Sequence, residues 1–113
     1  MKTKLFLSAI AFAAIFGAIL AQPAAAQDAT INIVVKNKKF DPSTINVPAD
    51  KLFKLVVKNA DAVAMEIESR NPRFEKIIAP GATATINMKP LKAGTYSFYD
   101  DFNKSNKGEI VAK

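Results

Sequence analysis

Past its first 26 residues this chain predicts an all-β fold, a sandwich or barrel of about eight short strands. Two observations carry that prediction. Apolar residues recur at every second position, and no 3.6-residue helical period appears after the leader. Turn formers then punctuate the chain at short intervals: Asp41-Pro42, Val47-Pro48, Asn71-Pro72, Pro80-Gly81, Lys89-Pro90 and Ala93-Gly94. Many short strands separated by such breaks are the mark of sandwiches and barrels. There is no internal repeat and no low-complexity linker.

The elements follow in order. Thr30 to Val35 opens as an alternating strand, and Ile45 to Val47 is a short second one ended by Pro48. Leu52 to Asn59 sets Phe53, Leu55 and Val57 against Lys54, Val56 and Lys58, which points the first set inward. Val63 to Glu68, Phe74 to Ile78 and Ala82 to Met88 continue the pattern. Thr95 to Tyr99 and Glu109 to Ala112 form the final pair, joined through Asp100 to Gly108.

Residues 1–26 read as an address. Met1-Lys2-Thr3-Lys4 is a basic start, Leu5 to Ala21 is apolar and uncharged, and Ala24-Ala25-Ala26 offers a small-residue cleavage site. The competing reading is an uncleaved anchor, since the apolar run approaches spanning length. The cleavage pattern and the abrupt change to strand-like sequence favour a secretory signal peptide, no stable membrane anchor after cleavage, and the periplasm as destination. The mature unit is then residues 27–113, and losing Lys2 and Lys4 lowers the formal charge from +6 to +4. The lysines are scattered without an aromatic-basic stripe, so no nucleic-acid partner is expected. The chain has no cysteine, so neither a disulfide nor a lipidated thiol is available. The core alone must hold so short a domain.

A longer pattern gives the sandwich a family. Phe40-Asp41-Pro42-Ser43-Thr44-Ile45-Asn46-Val47 resembles the opening of cupredoxin-like domains. Leu55-Val56-Val57-Lys58-Asn59 is similar to their second core strand and its closing Asn. Leu91-Lys92-Ala93-Gly94-Thr95-Tyr96-Ser97-Phe98-Tyr99 and Gly108-Glu109-Ile110-Val111 resemble the strands flanking their metal-ligand hairpin. The resemblance covers residues 31 to 113 and implies a Greek-key β-sandwich. Glu66-Ile67-Glu68-Ser69 and Phe98-Tyr99-Asp100-Asp101-Phe102 bring it nearest the iron-uptake-associated (EfeO-type) cupredoxin-like family. That likeness implies a metal-handling or electron-transfer role, with a membrane metal-uptake system or a redox protein as partner.

The departures from the family frame are chemical. Blue-copper sites use two His, a Cys thiolate and a weak axial ligand. In that frame the first His falls on Met65, the Cys and second His on Asp100 and Asn103, and the axial ligand near Asn106. The chain holds no His and no Cys at all, which excludes a thiolate-copper centre. The donors left are the Met65 thioether and the carboxylates of Glu66, Asp100 and Asp101, with Glu68 nearby. On a strand Glu66 and Glu68 share one face while Met65 and Ile67 share the other. Two sites are therefore open: Met65 with Asp100, or Glu66 with Asp101 on the outer side. Carboxylates favour hard cations. The expected ion is iron or copper, with iron at the acidic pair preferred.

Each residue also has a plain structural reading. Met65 fits as core filler, ahead of its reading as a ligand. Glu66 and Glu68 fit as the wet face of an amphipathic strand. Asp100 and Asp101 suit a turn, because Asp can bond its own backbone two residues on. Tyr96 reads as a corner tyrosine. Asn103 and Asn106 read as neutral turn residues. No His or Cys is present for nucleophilic or general-base work, and with only four Gly a dinucleotide fingerprint is absent, so an enzyme is the less expected reading, although Glu66 with Asp101 offers a carboxylate pair for acid-base chemistry. Three functions remain: a periplasmic cation-binding accessory to metal uptake, a metal-free interaction module, and a carboxylate-based ferroxidase accessory that relies on a separate electron acceptor.

Overall fold

Nine strands pair into two mixed sheets around one apolar core, and no helix occurs among the described residues. The computed structural model describes residue 17 and residues 28–113. The expected leader otherwise falls outside the described residues. The strands are β1 (Ala29–Lys36), β2 (Lys39–Asp41), β3 (Thr44–Val47), β4 (Phe53–Asn59) and β5 (Met65–Arg70), followed by β6 (Arg73–Ile78), β7 (Thr83–Met88), β8 (Gly94–Asp100) and β9 (Asn103–Ala112). One sheet has the order β2-β1-β4-β7 and the other β3-β9-β8-β5-β6. The β1–β4 and β3–β9 ladders are parallel, and all the others are antiparallel.

The alternation read from the sequence is the alternation of burial. In β4, Phe53, Leu55, Val57 and Asn59 are buried while Lys54 and Lys58 are exposed. Ile33 and Val35 from β1 meet Ile67 and Phe98 from the facing sheet in the same core. Phe40 of β2 sets its ring against Phe98 of β8, with centroids 4.8 Å apart and planes at 75°, the edge-to-face geometry aromatic pairs prefer. Burying each such side chain contributes roughly 1.5–3 kcal/mol. These contacts hold the sandwich together without a disulfide.

The expected sandwich of about eight short strands is the fold observed, with nine in all; the one that the sequence does not mark is Lys39–Asp41, which forms β2 across a tight turn from β1. Asn37 and Lys38 take φ of 52° and 58° in that turn. Both central residues at positive φ suit the right-handed twist of a two-residue hairpin. Asp61 compensates the strain by accepting both N–H groups, at 2.7 and 2.8 Å. The last strand begins at Asn103 rather than Glu109, so Asn103 and Asn106 are strand residues and not turn remnants. Their polar sequence hides the strand, which the ladder to β8 extends.

Gly108 sits where no side chain fits. It pairs with Phe98, whose ring lies across the place a Cβ would occupy, and the Ser43 carbonyl closes the other side. Tyr96 donates its hydroxyl to the Lys92 carbonyl at 2.8 Å, the corner role its position implies.

Candidate metal centre

The turn between β8 and β9 carries the site. Ser97, Phe98, Tyr99 and Asp100 alternate across β8, so Phe98 and Asp100 face inward and Tyr99 outward. Asp100 is thereby buried, only 4% exposed. Its Oδ1 accepts the Phe102 N–H two residues on, at 3.0 Å, and the Glu66 N–H on β5, also at 3.0 Å. The first bond closes the turn and the second clamps it to β5. A third bond, from the Asp101 N–H to the Glu66 carbonyl at 2.8 Å, completes the clamp.

That clamp decides which carboxylates meet. With Ile67 opposite Asp100 and Glu68 opposite Tyr99, residue 101 arrives beside Glu66 on the outer face. Carboxylate oxygens of Glu66, Glu68 and Asp101 lie within 4.8 Å of one another, and all three residues are half-buried. Three carboxylates so close repel. Burial first, then the charges of Asp101, Glu75, Glu68 and Asp100, hold the Glu66 carboxyl above its ordinary value. Lys104 offsets part of this, with Nζ 3.6 Å from Asp101 Oδ1. Since Lys104 is largely exposed, that ion pair is weak.

The four residues singled out in the sequence thus fall in two places. Glu66 and Asp101 share the outer cluster, and Glu68 joins them. Met65 and Asp100 line an inner cavity of about 200 Å³ with Asp61, Asn103 and Phe102. Met65 is 2% exposed and belongs to the core cluster, as its place on β5 requires. The strand period separates the two groups, since adjacent residues leave on opposite faces. Glu68 lies outside the four residues the sequence selects, although its spacing of two from Glu66 puts it on the same face. Glu75 has no local signal, because only the β5–β6 register sets it opposite Glu68.

Three of the positions where the family frame places copper ligands, Met65, Asp100 and Asn103, line that one inner cavity. Their donors are a thioether, a carboxylate already bonded to two backbone N–H groups, and an amide. This set does not fit a type 1 copper centre, which requires a thiolate and imidazoles. The outer cluster is different in kind: all-oxygen and anionic, with the chemistry that suits a hard divalent cation.

The fold is a cupredoxin-like sandwich, and beside its β8–β9 turn lies an all-oxygen group of three carboxylates. The family model described as Cupredoxin-like domain matches residues 8–112, and the chain belongs to that family. An uncharacterized protein of Rickettsia prowazekii (strain Madrid E) is 35% identical over 74 residues, 66% of this chain and 59% of that relative. The chain therefore spans less than two thirds of that relative's length.

Among solved structures, the metal binding domain of the Cu(I)-exporting P-type ATPase CopA from Streptococcus pneumoniae D39, with Cu(I), superposes with a TM-score of 0.68. It is 17% identical, over 74% of this chain and 84% of that one. Dithionite-reduced auracyanin from Roseiflexus castenholzii gives a TM-score of 0.64 at 19% identity, over 78% and 99%. A Cu(I) amicyanin variant gives 0.62 at 14%, over 80% and 88%. At such identities the likeness establishes the fold.

Proposed function

We propose that this domain binds a metal cation as cargo through Glu66, Glu68 and Asp101, and serves as a periplasmic accessory to metal uptake and not as a blue-copper electron carrier. The observation that carries the reading is the convergence of three carboxylates within 4.8 Å. An all-oxygen, anionic donor set favours hard cations, so Fe(II) and Mn(II) are expected ahead of Cu(I). The iron-uptake likeness of the Glu66–Ser69 and Phe98–Phe102 segments supports iron within that class. With neither thiolate nor imidazole in the chain, no type 1 copper centre can form, which favours an ion that is loaded and released over a blue-copper relay. The partner in this reading is a membrane uptake system that receives the ion.

Anaerobic calorimetric titration of residues 27–113 with Fe(II), Mn(II), Cu(II) and Cu(I) tests it. Saturable binding of a hard cation, abolished in Glu66→Gln/Asp101→Asn, is the expected result. Flat traces for every ion refute metal handling and leave a scaffold that binds proteins. Turnover of Fe(II) to Fe(III) only when an electron acceptor is added would instead mark a ferroxidase accessory.

A further inference from the structure

We infer that β7 is a self-association edge: a second copy of this chain pairs its own β7 against it, antiparallel, and joins two four-stranded sheets into one continuous sheet. The two sheets end in four edges, β2, β7, β3 and β6. An open edge is a row of unpaired N–H and C=O groups, which proteins blunt with short strands, charges or proline. Three of the four edges are blunted. β2 is three residues long, with Lys39 and Asp41 exposed. β3 is four residues long and is closed by Pro48. β6 carries Arg73, Glu75 and Lys76, and Lys76 leaves on the core-facing side because it pairs with buried Ile67.

The fourth edge is bare. Thr83-Ala84-Thr85-Ile86-Asn87-Met88 holds no charge, no proline and no glycine, and its ladder to β4 runs from Thr83 to Met88 without a bulge. Among the described residues β4 is the one strand bonded to it, and no turn or loop hydrogen bond reaches residues 83–88. Its burial is also incomplete. Ala84 and Ile86 lie opposite Val57 and Leu55, which are fully buried, yet both are only half-buried. The reason is lateral: β4 has a strand on each side and β7 has one.

Symmetry and charge point to a second copy as the occupant. A two-fold axis perpendicular to the sheet keeps outward residues outward, so only positions of equal parity can meet. With Thr85 on the axis, Thr83 faces the partner's Asn87, Ala84 faces the partner's Ile86, and Thr85 faces its own equivalent. Thr–Thr pairs stabilise across strands, and large meets small on the core side. Centring on Ile86 would oppose two isoleucines and direct the pairing onto Met88, which is already buried. No charged residue meets its like in this seam. The nearest lysines, Lys58 and Lys54, sit on β4 beside Thr83 and Asn87. Across the seam they are three strand spacings apart, about 14 Å, beyond the screening length of about 8 Å at physiological salt. One strand per copy is a small interface, so the dimer is weak and forms only at high concentration.

Sedimentation equilibrium of residues 27–113 in EDTA, over a series reaching about 1 mM, tests the inference apart from any cation. A reversible monomer–dimer equilibrium is expected, with hydrogen exchange of the β7 amides slowing as concentration rises. Thr85 is exposed, so Thr85→Lys and Thr85→Glu change the seam without touching the core. Each alone should weaken pairing about fivefold, the penalty of like charges directly opposite. An equimolar mixture of the two should pair at least as tightly as the parent, because only a register with residue 85 on its own equivalent sets Lys against Glu. Asn32→Lys adds the same charge on the same outer face, two strands away from Thr85, and should leave pairing unchanged.

A monomer at every concentration overturns the self-pairing and leaves β7 to a strand of some other protein. A dimer indifferent to Thr85→Lys and Thr85→Glu uses another surface and overturns it equally. So does one that Asn32→Lys weakens as much as Thr85→Lys, since added charge alone would then explain the loss.

Discussion

Asp100 offers the sharpest separation of structural from chemical roles. Replacing it with alanine removes the Oδ1 that accepts two backbone N–H groups, each at 3.0 Å. Stranding a buried donor costs about 1–3 kcal/mol. The Phe102 N–H lies in a turn whose side chain is 55% exposed, where water can recover part of that loss. A total near 2–4 kcal/mol follows, which lowers Tm by roughly 10–25 °C for a domain of this size. Asp100→Asn keeps Oδ1 and both bonds and gives up only the extra strength of a charged acceptor, about 1 kcal/mol. Urea and thermal denaturation of both variants measure the gap. If Asp100→Ala is within 1 kcal/mol of Asp100→Asn, the carboxylate is not the pin described here. A second readout separates the two candidate sites: Asp100→Asn should leave cation affinity nearly unchanged, whereas Asp101→Asn should remove it.

Other outcomes follow from the same geometry. Gly108→Ala drives a Cβ into the Phe98 ring and to 2.7 Å from the Ser43 carbonyl oxygen. Phe98 is fully buried and cannot retreat, so a loss of about 3 kcal/mol or more is expected by denaturation, at the upper end of overpacking costs. Met65→Leu preserves volume in the core and should cost under about 1.5 kcal/mol while leaving cation binding intact. A loss of Cu(I) binding in that variant would move the metal to the inner cavity.

For Glu66 the sign is set by its raised carboxyl. The folded state holds this proton more tightly than the unfolded chain, so the ionised group disfavours folding at neutral pH and is relieved as pH falls through the raised value toward 4.5. Glu66→Gln should therefore be more stable than the parent at neutral pH, with the difference vanishing toward pH 4.5. Cation affinity of the parent should fall across the same window.

Much of this was legible in the chain because the period of two is strict where the core is built. Phe53, Leu55 and Val57 had one reading, and Met65 and Ile67 could not share a face with Glu66 and Glu68. What escaped lacks apolar alternation. Lys39–Asp41 carries a single apolar residue, and Asn103–Lys107 none, so their strands arise from ladder partners elsewhere in the chain. The site was half legible for the same reason. Local spacing separates the faces of β5, but only pairing brings Asp101 across to Glu66 and sets Glu75 opposite Glu68. Buried Asn106 was beyond reach, because nothing local distinguishes it from a turn asparagine.

The place of β9 in its sheet has a consequence for how the molecule comes into being. This strand is the last in the chain, yet it lies between β3 and β8, with Thr44 paired to Glu109 and Tyr96 to Ile110. An N-terminal fragment emerging from the ribosome has no seam to join β3 to the rest of its sheet. Folding must wait for the ten residues of β9, and the contacts that close it are among the most distant in sequence. High contact order of this kind belongs to domains that fold in milliseconds to seconds. The strand β9 thus acts as the latch that joins β3 to the rest of its sheet.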